Sequence, residues 1–410
     1  MTAPTKEIRF AFLDIGLGDC TVITWDDRHH SSHTPTPRCI VVDGGKTIAA
    51  SRRLAQYLIA EKVKKIDLLV VTHIDWDHLG GIEQLFKRTD TRNGSLKSPY
   101  NKLADIPVTT YWGPLPQRPG AAGHSSMSAA MNAASYASEF KAYVTSVQQN
   151  QDLLAALAGR VDEFVFPAMD ALPELDLFRN LELDFLAPAV QRFSDEYSRF
   201  TPSRFQTLSI DQPIESLTMQ DLNDALAALA EDRAKQASTS ANNQSIVFSV
   251  TPKGLFSEHR DKRLLLTGDA EKKSWEDMNE LAAGRLRARF FKVPHHGASS
   301  GLGPGWNKVH PHLSVLSVGQ AGYGHPHIEV LEKLSPMSTR IHCTEQNQKK
   351  SKNPGDWGDG HGGAGGYCKA SGTDCPKRTK DSWGHLIVTL SDGSSEETYT
   401  QAGDDCPIDW

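Results

Sequence analysis

The stretch VVTHIDWDHLGG, Val70 to Gly81, decides the fold. Two histidines and two aspartates fall within the six residues His73 to His78, between an apolar run and a Gly-Gly pair. The run before them, from Ile66 to Thr72, is short and continuously apolar, the pattern of a strand buried on both faces. Gly80 and Gly81 let the backbone come close to its neighbours and begin a helix. The metal-loving groups therefore sit where a strand ends.

Outward from this point the pattern repeats. Upstream, IRFAFLDIG (Ile8 to Gly16), GDCTVITW (Gly18 to Trp25) and CIVVDGG (Cys39 to Gly45) read as three strands of a meander. A helix over residues 49–60 follows, so the order up to His73 is β-β-β-α-β. Downstream, QSIVFSV and KRLLLTGD read as strands, EKKSWEDMNELAAG as a helix ended by Gly284, and ARFFKVPHHG and HLSVLSVG as strands. HIEVLEKL is a helix behind Pro326. Asp269, the His295–His296 pair and His325 each come just after one of these apolar runs. Strands of a layered α/β fold end at a common rim, so four clusters far apart in the chain can build one site.

Imidazole and carboxylate are ligands for zinc, manganese or iron. His73 and Asp75 alternate one way along an extended turn, and Asp77 and His78 reach another way. That suits two cations side by side, about 3.5–4 Å apart, with Asp269 between them.

The order of motifs resembles that of the metallo-β-lactamase-fold hydrolases, whose first metal motif HIDWDH matches. More narrowly, it is similar to the soluble hydrolase domain of the ComEC-type competence (DNA-uptake) proteins and their stand-alone relatives. FLDIGLGDCTVI, VVDGG, NNQSIVF, LLLTGDAE, FKVPHHGASS, SVGQAGYGHPHIEVLEKL and GHLIVTLSDG follow in that group's order. The likeness covers about residues 7–113 and 241–343 plus the final strands. It implies a four-layer αββα sandwich with a helical insertion. A hydrolase domain would span 1–345, with insertions over about 114–240. A C-terminal extension, 346–410, would carry a Gly/Lys-rich loop and closing strands.

The resemblance also implies roles. His73, Asp75, Asp77, His78, Asp269 and His325 are expected metal ligands, with Asp77, His295 and His296 the expected catalytic groups. Asp43 would orient a ligand histidine. Asp19 and Asn243 belong to subgroup motifs. Aspartate at 75, where many fold members carry histidine, makes the site harder, favouring manganese or magnesium over zinc alone. The fold's third-motif histidine has two candidates between His78 and Asp269. His124 lies in a loop, and His259 lies in what reads as an exposed hairpin turn. Lys292 reads as a solvated strand-edge lysine able to reach a phosphate. His310, His312, His327 and His342 read as structural, and His385 as a tail residue.

The rest of the chain sets limits. A formal charge of −6 over 410 residues does not advertise a nucleic-acid binder, so a polyanion would need local cations such as Arg285, Arg287, Arg289 and the KRTK stretch. The six cysteines include no CxxC, and the irregular spacing of the last four favours free thiols over a structural zinc. With no signal-like start and no membrane-length apolar run, a cytoplasmic chain without membrane partners is expected. The function expected is a metal-dependent phosphodiesterase or nuclease with two divalent ions and a metal-bound hydroxide, acting on DNA or RNA. A hydrolase of a small ester, thioester, lactone or phosphorylated metabolite is the alternative, with a non-catalytic metal-binding module third.

Overall fold

The computed structural model describes residues 6–26, 37–87, 100–114, 149–165, 178–188, 241–318, 325–344 and 385–401. The meander is present as β1 (Glu7–Phe12), β2 (Thr21–Trp25) and β3 (Arg38–Val42), paired antiparallel. The crossover helix α1 (Ile48–Ala60) is capped by Thr47, whose hydroxyl accepts from the Ala50 amide at 3.2 Å. It returns the chain to β4 (Ile66–Val70), parallel to β3. After α2 (Trp76–Phe86) come β5 (Val108–Trp112) and β6 (Val161–Val165), which continue the parallel run. The second sheet holds β7 (Leu181–Ala187), β8 (Val247–Pro252), β9 (Leu264–Leu266), β10 (Phe290–Lys292), β11 (Leu313–Leu316) and β12 (Arg340–Cys343). The chain then returns to the first sheet as β13 (Leu386–Ser391) and β14 (Glu397–Gln401).

The order β14-β13-β1-β2-β3-β4-β5-β6 faces β12-β11-β10-β9-β8-β7. Period-two alternation assigns the faces. In β3, Ile40 and Val42 point into the layer between the sheets, beside Phe10, Phe248 and Phe290, while Cys39 and Val41 point outward beneath α1 and α2. Behind the second sheet, the helix Lys272–Leu281 buries Trp275 and Met278 with Trp306, Val330 and Leu331. Two sheets, each covered on its outer face by helices, make the four-layer αββα sandwich.

Three sequence expectations change. TRIHC and GHLIVTLS read from their sequences as strands able to pair with each other; instead they enter different sheets, where β12 pairs with β11, and β13 with β1 and β14. β5 and β14 were not anticipated. The helix from Lys272 stops at Leu281, and Gly284 sits in a separate 3-10 turn outside the left-handed region. Residues 163–166 and 182–186 read from sequence as two short strands, and both exist, as the edge strands β6 and β7 of the two sheets. By composition residues 125–160 and 218–236 read as helices; the first is described only over 149–157, and the second lies outside the described residues, as does the Gly/Lys-rich stretch. Among the described residues no helix is long and apolar enough to cross a membrane.

The closing hairpin is fastened by polar groups. Glu397 of β14 takes Lys262 and Arg289, the latter also through Nε at 2.9 Å. At the start of β13, the buried His385 Nδ1 accepts the Asp14 amide at 2.8 Å. Burial and the nearby Arg53 guanidinium push the His385 pKa down to about 3, from an ordinary 6.5. The folded protein then holds His385 neutral while the unfolded chain protonates it. Stability is full above pH 6.5 and declines as pH falls toward 3, by at most about 1.4 kcal/mol per pH unit for this one proton. Urea midpoints measured from pH 7 to 5 are expected to fall less steeply for His385→Gln than for wild type. Equal slopes would remove His385 from the account.

Candidate metal centre

Parallel strands run β3 and β4 in one sheet and β9, β10 and β11 in the other. Their C-terminal ends meet at one rim, where Ile246 N–H donates to the Thr72 carbonyl at 2.9 Å and His295 N–H to the Gly268 carbonyl at 3.2 Å. Asp43 follows β3, His73 follows β4, Asp269 follows β9 and the histidine pair follows β10. Asp75 occupies the N-cap position of α2 without a side-chain capping bond, with Asp77 and His78 in the first turn.

Asp269 is the hub. Its Oδ1 lies 3.3 Å from His78 Nε2, and its Oδ2 lies 3.4 Å from His296 Nε2, 3.9 Å from His295 Nε2 and 4.0 Å from His73 Nε2. Asp77 Oδ2 is 3.4 Å from His296 Nε2, and Asp75 Oδ2 is 3.7 Å from His73 Nε2. Two sets, His73–His78–Asp269 and Asp77–His78–His296, each bring three donor atoms within 4.8 Å of one another. His73 Nε2, His78 Nε2, His296 Nε2 and Asp269 Oδ1 are buried with no hydrogen-bond partner among the described residues. Buried polar atoms are normally satisfied. Four orphans converging on one space, on nitrogen and carboxylate oxygen, fit a divalent cation.

The electrostatics agree. Burial alone would push the His78 and His296 pKa values down, yet both stand well above the ordinary value, because Asp269 outweighs burial with Asp43 helping at His78 and Asp19 at His296. Burial alone would raise Asp269, yet His296 and His78 hold it well below the carboxylate range; Asp77 is likewise held low, chiefly by His296. The pocket is built to stabilise positive charge, and cation binding there would displace protons.

Outer contacts aim the imidazole nitrogens of the cluster. Asp43 Oδ2 sits 2.8 Å from His78 Nδ1. Asp43 itself accepts from the Thr72 amide and hydroxyl, each at 2.8 Å. His73 Nδ1 lies 3.1 Å from Thr72 Oγ1 and 3.4 Å from Ser245 Oγ. His296 Nδ1 donates to the Ser317 carbonyl at 2.9 Å. Both His295 and His296 adopt positive φ, 49° and 52°, a conformation costly for side chains other than glycine and concentrated at functional sites.

The two histidines of the pair occupy different places. His296 is buried in the cluster. His295, its side chain 21% exposed, holds Nδ1 at 2.9 Å from Ser300 Oγ and 3.2 Å from Glu271 Oε1. Glu271 was missed from sequence although it lies in LLLTGDAE, two residues after Asp269. His325 sits outside the donor sets, its ring 5.7 Å from His295 and 6.3 Å from His296, and burial with the neighbouring histidines pushes its pKa down to about 4.

Other expectations resolve as follows. His259 is fully buried, not exposed; its Nε2 pairs with the Ser391 carbonyl at 3.0 Å, so it anchors β13 away from the rim. His124 lies outside the described residues. Lys292 is not a solvated lysine: it is buried and ion-paired with Asp19. Asn243 caps the helix Lys272–Leu281, accepting from Ser274 N at 3.2 Å. Arg285 and Arg289 are paired with Asp184 and Glu397 near the opposite ends of the strands. KRTK lies outside the described residues. Cys20 and Cys39 are free buried thiols and Cys343 is buried; the other three cysteines lie outside the described residues.

The sandwich is the architecture of the metallo-beta-lactamase fold, and the donor chemistry of its rim cluster suits divalent metals. The Metallo-beta-lactamase superfamily description matches residues 14–150. The chain is similar to ComE operon protein 3 of Bacillus subtilis (strain 168), 32% identical over 110 residues, which is 26% of this chain and 13% of that protein. It therefore corresponds to only a small part of that relative. Among solved structures, a long form RNase Z from yeast aligns with 82% of this chain and 40% of that one, at 9% identity and a TM-score of 0.36.

Proposed function

We propose that this chain is a two-metal phosphodiesterase whose substrate is a nucleic acid. The observation that carries the reading is the pair of donor sets that share His78, with Asp269 of the first set also 3.4 Å from His296 of the second. His73, Asp75 and Asp269 would hold one cation. Asp77, His78, His296 and Asp269 would hold the other, with Asp269 shared. Carboxylate-rich donors support manganese or zinc, with magnesium also compatible. Two such cations supply Lewis acidity toward a phosphoryl oxygen and acidify a water.

The chain's own residues do the rest. Asp43 fixes the His78 tautomer through Nδ1, so Nε2 faces the site. The Ser317 carbonyl does the same for His296. His295 stands at the accessible rim, held by Glu271 and Ser300, and is placed to pass a proton from Nε2 to a departing alkoxide. His325 would line the approach beside it. The motif-by-motif resemblance to competence-type hydrolase domains supports DNA as substrate.

One observation favours the second reading, a small-molecule diester or ester. Arg285, Arg289 and Lys292 are all committed to carboxylates, so they offer no backbone-tracking cations at the rim. The deciding assay incubates purified protein with labelled single- and double-stranded DNA, RNA and bis-p-nitrophenyl phosphate, each with manganese, zinc or magnesium. Polynucleotide cleavage is expected. Turnover of the small diester alone would move the assignment to a small-molecule phosphodiesterase, and no turnover of any diester would remove phosphodiester chemistry altogether.

A further inference from the structure

Asp19 is the one carboxylate at the site whose part is not evident from the donor sets. It follows the β1–β2 turn of the first sheet and is 4% exposed. Its Oδ1 lies 3.3 Å from His296 Nδ1 and has no hydrogen-bond partner among the described residues. Together with Asp269 and His296 it forms a third set of donor atoms within 4.8 Å. By distance alone it is as good a metal ligand as any residue of the cluster.

Two facts speak against that. First, its Oδ2 is ion-paired with Lys292, which comes from β10 of the facing sheet and is 2% exposed. A dication on this carboxylate would lie against a buried ammonium, with little water to screen the repulsion. Second, Asp19 addresses Nδ1 of His296, whereas Nε2 faces Asp77 and Asp269 at 3.4 Å each. Asp43 sits on the same nitrogen of His78, there as a 2.8 Å hydrogen bond with Nε2 turned to Asp269; at His296 the Nδ1 hydrogen bond goes to the Ser317 carbonyl at 2.9 Å and Asp19 lies beside it as a charge. A carboxylate on the far nitrogen of a ligand histidine orients it and makes it a better donor.

We infer that Asp19 and Lys292 form a charge-balanced support bridging the two sheets, which holds His296 for metal binding while Lys292 keeps Asp19 out of the coordination sphere. A buried lysine needs a fixed counter-charge, and a buried aspartate beside a cation site would otherwise turn toward the metal. The pair meets both needs. Backbone contacts tie Asp19 to the other ligand elements: its amide donates to the Asp77 carbonyl at 3.2 Å, and its carbonyl accepts from Gly45 N at 2.9 Å. The inference rests on the metal-centre reading above.

The test is equilibrium binding of cobalt(II) and manganese(II), read as stoichiometry and Kd, with the cobalt visible spectrum as a second readout. Wild type, Asp19→Asn, Lys292→Met and the double variant are compared as full-length protein. Asp19→Asn leaves an uncompensated ammonium behind His296 and is expected to weaken one site by about 10–100-fold. Lys292→Met frees Asp19 to enter the coordination sphere and is expected to change the cobalt spectrum. The double variant removes both charges and is expected to recover affinity to within about tenfold of wild type, with a wild-type-like spectrum. Should a single variant fail to fold, the double variant still decides. If it binds as poorly as Asp19→Asn, or loses one equivalent of metal outright, Asp19 is a ligand and the inference is wrong. If all four proteins bind alike, the pair only braces the sheets and the inference is again wrong. A wild type that binds no divalent cation overturns the metal-centre reading, and this inference with it.

Discussion

Asp269→Asn is expected to abolish hydrolysis, by about 10³-fold or more, and to strip the protein of most of its bound metal. A thousandfold loss corresponds to about 4 kcal/mol of transition-state stabilisation. The substitution keeps the shape of the side chain and removes its charge. It acts at the only carboxylate whose two oxygens face His73, His78, His295 and His296 together, among the described residues. Both cations would lose their shared anion at once, and the amide would point donors at imidazole nitrogens that need to give lone pairs to metal. Asp75→Asn provides the scale. Its side chain is 41% exposed and it lies 3.7 Å from His73, so a loss of about tenfold is expected, in metal affinity first. Metal content by plasma emission and turnover of whichever ester proves to be the substrate read both effects. Wild-type metal content in Asp269→Asn would disprove its role as the shared ligand.

Much of this arrangement is written locally in the sequence. The β1–β2–β3–α1–β4 order is legible because buried strands are continuous apolar runs and the turns between them carry glycine and aspartate. The cluster from His73 to His78 is legible because a strand-to-helix junction fixes where its side chains go. What could not be read depends on partners far along the chain. His259 and Lys292 look solvent-facing in their own neighbourhoods. They are buried because Ser391 and Asp19, 132 and 273 residues away in sequence, supply a carbonyl and a counter-charge. Arg289 looks available to a phosphate until β14 brings Glu397 to it. β14 itself, ETYTQ, is a polar edge strand with no apolar run to betray it. TRIHC and HLIVTLS could not be assigned to sheets, because nothing in either stretch specifies which open edge it will join. The division of His295 from His296 was hidden for a related reason: two adjacent residues of positive φ face different ways, and neighbouring sequence does not encode that.

Gly81→Ala is expected to cost about 3 kcal/mol of stability and to cripple metal binding in whatever folded protein remains. A Cβ on Gly81 would lie 1.8 Å from the Gly44 carbonyl oxygen and 2.7 Å from its carbon. Both are backbone atoms, so no rotamer change can relieve the contact. The helix cannot simply tilt away, because it is bonded backbone-to-backbone to the same loop: Gly44 N–H donates to the His78 carbonyl at 2.8 Å and Gly81 N–H to the Gly45 carbonyl at 2.7 Å. Relief requires α2 to move off the β3–α1 loop by more than an ångström, breaking those bonds. Asp77 and His78 ride on the first turn of that helix, and Asp43 is the residue just before Gly44. The displacement therefore separates His78 from the carboxylate that orients it. A local packing error becomes a loss of function without touching a ligand. Gly284→Ala is the matched control. Nothing lies within 4 Å of its Cβ position and its φ is not left-handed, so the same substitution there should be neutral or slightly stabilising. Thermal melts and cobalt titrations of the two variants side by side give the answer. If Gly81→Ala melts with wild type, the close approach of α2 to the loop is not what holds the site together.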